Sequence, residues 1–197
     1  MSFTDPAAPV PTILRTDQFL LRPITPADAP ADHAALMETR EQLRRWEQAT
    51  WPEDDFSVEA NREDLVGLEE RHAAHRAFTY TVVDPVTDEC LGCVYLFPTD
   101  ATFLTKATVT PTGEGGWDSV DVVVYFWVRK SRMQTGMDSK LLDVLRAWLM
   151  GEWKLSTAVF VVSDQFAEQI ELLEHTDLTK QFEIVEPGKV GRFSAYG

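Results

Sequence analysis

The sequence predicts an α+β fold: a mixed, mostly antiparallel sheet flanked by helices in a single domain. Three observations predict it. Two apolar segments, Ala77–Val83 and Glu89–Phe97, flank a turn with Pro85 and Asp88 and read as a β-hairpin. The continuous apolar run Ser119–Arg129 reads as a strand covered on both faces, and it leads through a polar loop into an amphipathic helix, Gly136–Met150. A second strand–helix unit then follows. Hairpins first and strand–helix alternation later specify a mixed sheet.

The elements follow in order. Met1–Pro11, rich in Pro and Ala, reads as a flexible arm, and residues 12–197 as one domain. Thr12–Arg22 alternates apolar residues and is expected as the first strand. Thr25-Pro26-Ala27-Asp28 is a helix start: Thr caps, Pro fits the first turn and Asp favours the dipole. That helix is expected to reach about Thr39, with a second piece over Glu41–Gln48 ended by Pro52. Ser57 caps another, carrying Val58, Leu65, Leu68 and His72 at helical spacing. Thr102–Thr110 is expected as a short strand. Gly151 closes the helix after the long apolar strand. Thr157–Val162 is a buried strand. Ser163 caps a helix near Gln165–His175, and Phe182–Val185 and Arg192–Tyr196 are the last strands.

Composition excludes several classes. With 197 residues and 44% hydrophobic content, the chain has enough apolar surface for a core and is not disordered. A net charge of −14, from 32 acidic and 18 basic residues, disfavours nonspecific nucleic-acid and anionic-membrane partners. The N-terminal segment shows no secretory signal, and Val122–Val128 is too short to span a bilayer, so the expectation is a cytoplasmic protein. Cys90 and Cys93 form a lone CxxC inside a strand, with no histidine at ligand spacing. They read as packed, reduced thiols, and no metal site is expected.

Ser119–Leu149 carries the functional signal. A helix N-terminus offers unpaired N–H groups and positive dipole, which suits a phosphate. Asp138, two residues after Gly136, sets a carboxylate in that position. Two unit charges about 4 Å apart cost roughly 1 kcal/mol in water and about 4 kcal/mol at an effective dielectric of 20. Asp in the first helical turn also stabilises the helix, so both employments remain open.

These motifs and their order resemble the GNAT superfamily of N-acyltransferases from roughly Thr12 to the C-terminus. Phe19-Leu20-Leu21-Arg22-Pro23 with Asp28 is similar to the "LRP…D" opening of the branch that includes ribosomal-protein and small-molecule acetyltransferases. Leu91-Gly92 and Trp127-Val128 match the ends of the family's third and fourth strands. Its acyl-CoA loop is similar to V-x-P-x-x-R-G-x-G-x-G. Here Val128, Gly136 and the helical pair Leu141-Leu142 match. Lys130, Met133, Gln134 and Asp138 depart from it, and Leu172-Leu173-Glu174 lacks the tyrosine that often protonates the leaving thiolate.

The resemblance implies a central, splayed mixed sheet and acetyl-CoA as co-substrate. Phe126, Trp127 and Val128 would meet the pantetheine arm. Arg132, Gln134, Thr135, Gly136, Met137 and Ser139 would meet the pyrophosphate, with Lys130 and Lys140 near the loop. Asp121, seven residues before Val128, is the first choice of general base, with Glu114 and Asp118 behind it. Trp46, Trp51, Phe97 and Tyr125 would line an acceptor pocket, their alternative being core packing. The implied activity is acetyl transfer to a primary amine of a small molecule or a peptide N-terminus, and a homodimer is compatible with it. The alternative is a GNAT-like binding module that has lost productive acetyl-CoA binding, for which Met133, Asp138 and Leu173 argue.

Overall fold

The computed structural model describes residues 3–133 and 135–197. β1 (Leu14–Arg15) and β2 (Leu20–Pro23) stand where one strand was expected. Thr16 turns the chain between them. Its hydroxyl donates to Phe19 O at 3.0 Å and accepts from the N–H groups of Gln18 and Phe19 at 3.1 and 2.9 Å. The segment expected as a free arm packs from Phe3 onward: the Phe3 ring lies 5.7 Å from Phe78, and Tyr80 donates its hydroxyl to Pro11 O at 2.6 Å.

The Arg22…Asp28 motif has a structural employment. Arg22 donates from both guanidinium nitrogens to Asp28 at 2.9 and 2.7 Å, and Asp28 also accepts from Thr25 N–H at 2.8 Å. One carboxylate thus pins the end of β2 to the start of the first helix, as bidentate charge-assisted bonds do well. A 3-10 turn over Pro26–Asp28 enters α1 (Ala29–Glu47), which is continuous where two pieces were expected. Nothing between Thr39 and Glu41 breaks a helix, and left-handed Gln48 (φ 52°) ends it instead. α2 (Val58–Ala73) starts at Ser57, whose side chain accepts from Ala60 N–H at 3.1 Å.

β3 (Phe78–Val83), β4 (Cys90–Phe97), β5 (Thr108–Pro111) and β6 (Val122–Val128) follow. Part of the strand expected over Thr102–Thr110 is instead a 3-10 turn, Leu104–Lys106. A one-turn helix α3 (Lys130–Met133) precedes α4 (Met137–Gly151), and β7 (Ala158–Ser163), α5 (Ala167–Glu174), β8 (Lys180–Val185) and β9 (Phe193–Tyr196) complete the chain. Gly151 lies inside α4 rather than beyond it.

Among the described residues nine strands form one sheet, ordered β1-β2-β3-β4-β6-β7-β9-β8-β5. Every pair is antiparallel except β6 with β7, which are joined through α4. Alternation along β4 and β6 divides the core in two. Tyr95 and Tyr125 face α1, where Trp46 lies 5.9 and 6.1 Å from them. The opposite face carries Tyr80 against Trp148 of α4 at 5.1 Å. The two cysteines are buried thiols, each with Asp32 Oδ1 within donating distance, at 3.7 and 3.8 Å. Among the described residues no helix is long and apolar enough to cross a membrane, and no group of three or more His, Cys, Asp or Glu is gathered for a metal ion.

Candidate active site

The parallel pair is where the sheet opens. β6 and β7 pair at Val122 with Ala158, Val123 with Val159 and Val124 with Phe160, and pairing stops there although β6 runs on to Val128. On its other edge β6 stays paired with β4 as far as Val128 and Gly92. Gly92 is required there: a Cβ on it would meet Trp127 O at 2.2 Å. The backbone of Tyr125–Val128 is therefore anchored on one side and released on the other.

A narrow cleft enters the opening from the α4 side. It is lined by Phe126, Val128, Met133, Asp138, Phe166, Gln169 and Leu172 and has a volume of only about 20 Å³. Gln169 accounts for much of this. Its Nε2 donates to Phe126 O at 2.9 Å, while its buried Oε1 has no partner among the described residues. The sequence reading missed Gln169, which showed there only as one polar position on the α5 helix.

The loop at the mouth of the cleft spends its polar groups on the protein itself. Arg132 pairs with Glu89 at 3.0 Å, and Arg129 pairs with Glu89 at 2.8 Å and Glu38 at 2.6 Å. Lys140 pairs with Asp17 at 2.5 Å. Ser131 N–H donates to Glu38 at 3.0 Å, and the Thr135 hydroxyl donates to Arg132 O at 2.7 Å. Gly136 is left-handed (φ 73°) and open on its Cβ side, whereas the Met137 side chain is buried in the core. Ser139 N–H, expected for a phosphate, donates to Asp138 Oδ1 at 2.9 Å. Gln134 lies outside the described residues.

Across the sheet a larger cavity of about 550 Å³ gathers Trp46, Trp51, Phe97 and Tyr125, the four residues expected around an acceptor. Leu68, Tyr95, Phe103 and Phe193 extend the apolar wall, and Glu47, Asp64, Arg71, Glu186 and Lys189 supply the charges. Lys189 donates to the Glu47 carboxylate and to its main-chain oxygen, both at 2.6 Å. Burial pushes the Glu186 carboxyl above its ordinary pKa; the Lys189 charge opposes this and the Glu47 charge adds to it. Burial also pushes the Tyr125 hydroxyl up, and the carboxylates of Glu186 and Glu47 push it further. Glu186 is close enough to influence that hydroxyl, but the geometry falls short of a hydrogen bond, so the hydroxyl has no partner among the described residues. Glu186 and Lys189 follow β8 in a Pro-Gly turn, and nothing in their local sequence marks them as facing a cavity.

Asp121 has a different employment from the one expected. Its Oδ2 accepts from Ser156 N–H at 2.8 Å, Thr157 N–H at 2.9 Å and the Ser156 hydroxyl at 3.1 Å. Burial pushes its pKa up, but these bonds together outweigh it and hold the carboxyl below its usual range. It lines neither cavity, and it ties the start of β6 to the chain entering β7. A carboxylate so placed is a brace between strands rather than a base.

No family model matches this sequence, and no curated protein matches it by sequence. Solved structures do match. Ribosomal-protein-S5-alanine acetyltransferase from Vibrio fischeri superposes with a TM-score of 0.67 at 17% identity, covering 94% of this chain and 95% of its own. The chain has the GNAT fold. RimL, a ribosomal L7/L12 alpha-N-protein acetyltransferase in complex with coenzyme A, gives 0.66 at 15% identity, with 93% and 96% covered. Mycobacterium smegmatis RimJ in complex with a CoA disulfide gives 0.68 at 15%, with 90% and 80% covered. At such identities the likeness is one of fold. Within the GNAT fold of this chain, the opening between β6 and β7 has a helix N-terminus at one mouth and an aromatic cavity behind it.

Proposed function

We propose that the protein is an acetyl-CoA-dependent N-acetyltransferase acting on a primary amine. The observation that carries this is the end of β6–β7 pairing at Val124–Phe160, with a cleft at a helix N-terminus on one side and a carboxylate-bearing aromatic cavity on the other. Such a gap lets two substrates meet through the sheet, and holding them together supplies a large part of the acceleration.

The backbone fits the thioester substrate better than the side chains do. Phe126 O faces the opening, where it is available to a pantetheine amide once Gln169 withdraws. Gly136, Thr135 and Ser139 stand where a pyrophosphate would lie, and Asp138 must yield Ser139 N–H to it. Glu186 is the general base of this proposal. A raised pKa brings a carboxylate nearer the operating pH, where it takes a proton from an ammonium more effectively. The amine nitrogen then bonds to the acetyl carbon as the C–S bond breaks, and the second proton of that nitrogen is lost to water. Tyr125, the first β6 residue beyond the last β6–β7 pair, gives its proton to the leaving thiolate and regains one from Glu186.

The GNAT-like module without productive acetyl-CoA binding is the second reading. The narrow cleft and the Asp138–Ser139 contact favour it. Calorimetric titration of the whole chain with acetyl-CoA separates the two. Binding in the micromolar range supports the transferase, and absence of heat at millimolar ligand removes it, about 4 kcal/mol being all such a Kd represents.

A further inference from the structure

We infer that the cavity facing α1 takes a primary ammonium carried on an aromatic body that also bears a hydrogen-bond acceptor. This rests on the cavity being the acceptor side of the proposed transferase, and it names the substrate class.

Three features argue for it. A volume of about 550 Å³ is the size of a small-molecule site, and its walls are rings: Trp46, Trp51, Phe97 and Tyr125 among them. Aromatic rings stack on flat ligands and attract cations through their faces. The charges facing the cavity are three carboxylates, Glu47, Asp64 and Glu186, against two cations, Arg71 and Lys189. Lys189 is held by Glu47, which leaves Glu186 the carboxylate best placed for a ligand ammonium. Finally, two residues that line the cavity each carry a buried polar atom with no partner among the described residues: the Tyr125 hydroxyl and Trp46 Nε1. Their residues are only 8% and 7% exposed. The indole N–H can only donate, so a ligand that fills the cavity without an acceptor leaves it unsatisfied.

The same features exclude neighbouring classes. An anion would face Glu47 and Glu186. A polyamine carries more ammonium groups than the single surplus carboxylate can balance, and it has no ring to place against the walls.

The shared chemistry, an ammonium a few bonds from an oxygen-bearing ring, occurs in a free arylalkylamine and at the N-terminus of a tyrosyl peptide. Titration of the whole chain, without acetyl-CoA, by tyramine, Tyr-Ala amide, 4-hydroxyphenylacetate and spermidine tests it, with tryptophan fluorescence and calorimetry as readouts. Tyramine or Tyr-Ala amide should saturate with a Kd below about 1 mM, and the tighter of the two names the source. 4-Hydroxyphenylacetate and spermidine should each bind at least about tenfold more weakly. Glu186→Gln should weaken the amine about tenfold and leave the carboxylate analogue unchanged or tighter. Trp51→Ala, at the partly exposed rim, provides a second variant and should weaken the amine to a similar degree. The inference is overturned if spermidine or 4-hydroxyphenylacetate binds as tightly as tyramine, or if neither amine saturates at about 10 mM on folded protein. Because acetyl-CoA is left out, amine binding by a chain that fails to bind acetyl-CoA would overturn the transferase and leave the ligand class standing.

Discussion

Replacing Asp138 by glycine should tighten coenzyme A binding. The carboxylate lines the cleft and its Oδ1 accepts from Ser139 N–H at 2.9 Å, so it holds an N–H that the pyrophosphate would use. The side chain is half-exposed, which places the effective dielectric between the protein-surface value and water. At about 4 Å and an effective dielectric of about 40, the repulsion per phosphate charge is roughly 2 kcal/mol. Freeing Ser139 N–H contributes about a further 1 kcal/mol. Against this, glycine in the first turn costs the helix about 1 kcal/mol, and the lost dipole interaction about 0.5 kcal/mol. These helix terms fall on the free and bound protein alike, so they appear in the melting temperature rather than in the affinity. The expected gain is therefore on the order of 100-fold, measured by calorimetry with coenzyme A at low salt, with a smaller gain at about 0.5 M salt. Asp138→Asn, which keeps the side chain and removes its charge, should recover most of it. Unchanged or weaker binding in both variants, with normal circular dichroism, would refute the assignment of Asp138 to the phosphate position.

Three further outcomes follow from the geometry. The rate of acetyl transfer should rise with pH through an apparent pKa above the ordinary glutamate value. Lys189→Met should move that pKa up and Glu47→Gln should move it down, because those charges act on Glu186 in opposite directions; a profile unmoved by either would remove Glu186 as base. Gln169→Ala should enlarge the cleft and tighten acetyl-CoA binding, at a stability cost of about 1 kcal/mol read from urea unfolding; weaker binding would mean that Gln169 contributes to the ligand rather than blocks it. Burial raises the Asp32 pKa from 3.8 to about 6, against the lowering effect of hydrogen bonds from Asn61 and the thiols. The native state then binds more protons than the unfolded chain between those values, so this stability is full below 3.8 and lost as pH rises through 6. The loss is at most about 3 kcal/mol, Asp32→Asn should flatten it, and an unfolding free energy with the same pH slope in both proteins would contradict it.

The pattern of strands was legible because burial writes period and length directly into sequence. β3, β4 and β6 fall within their expected segments, β7 runs one residue past its own, and Ser57 caps α2 where a serine before an apolar stripe should. Hydrogen-bonding detail was less legible. Thr16 divides the first strand through its hydroxyl, and α1 runs on because no residue near Arg40 stops it. In the site, rings were easier to place than charges. Trp46, Trp51, Phe97 and Tyr125 converge because α1 with the loop after it, β4 and β6 bring large side chains to one face. Asp121 sits at a suggestive spacing, yet its carboxylate is consumed by Ser156 and Thr157, a partnership 35 residues away that spacing alone does not reveal. Glu186 reaches the cavity only because β8 and β9 return to it, and Gln169 enters the cleft only because β6 and β7 part.

The most direct test of the central claim is thiol release from acetyl-CoA by the whole chain, with and without tyramine. Release should depend on the amine, saturate with it, yield the N-acetylated product, and fall at least about 100-fold in Glu186→Gln. Thiol release that is the same with and without amine, at millimolar acetyl-CoA and on folded protein, would contradict it.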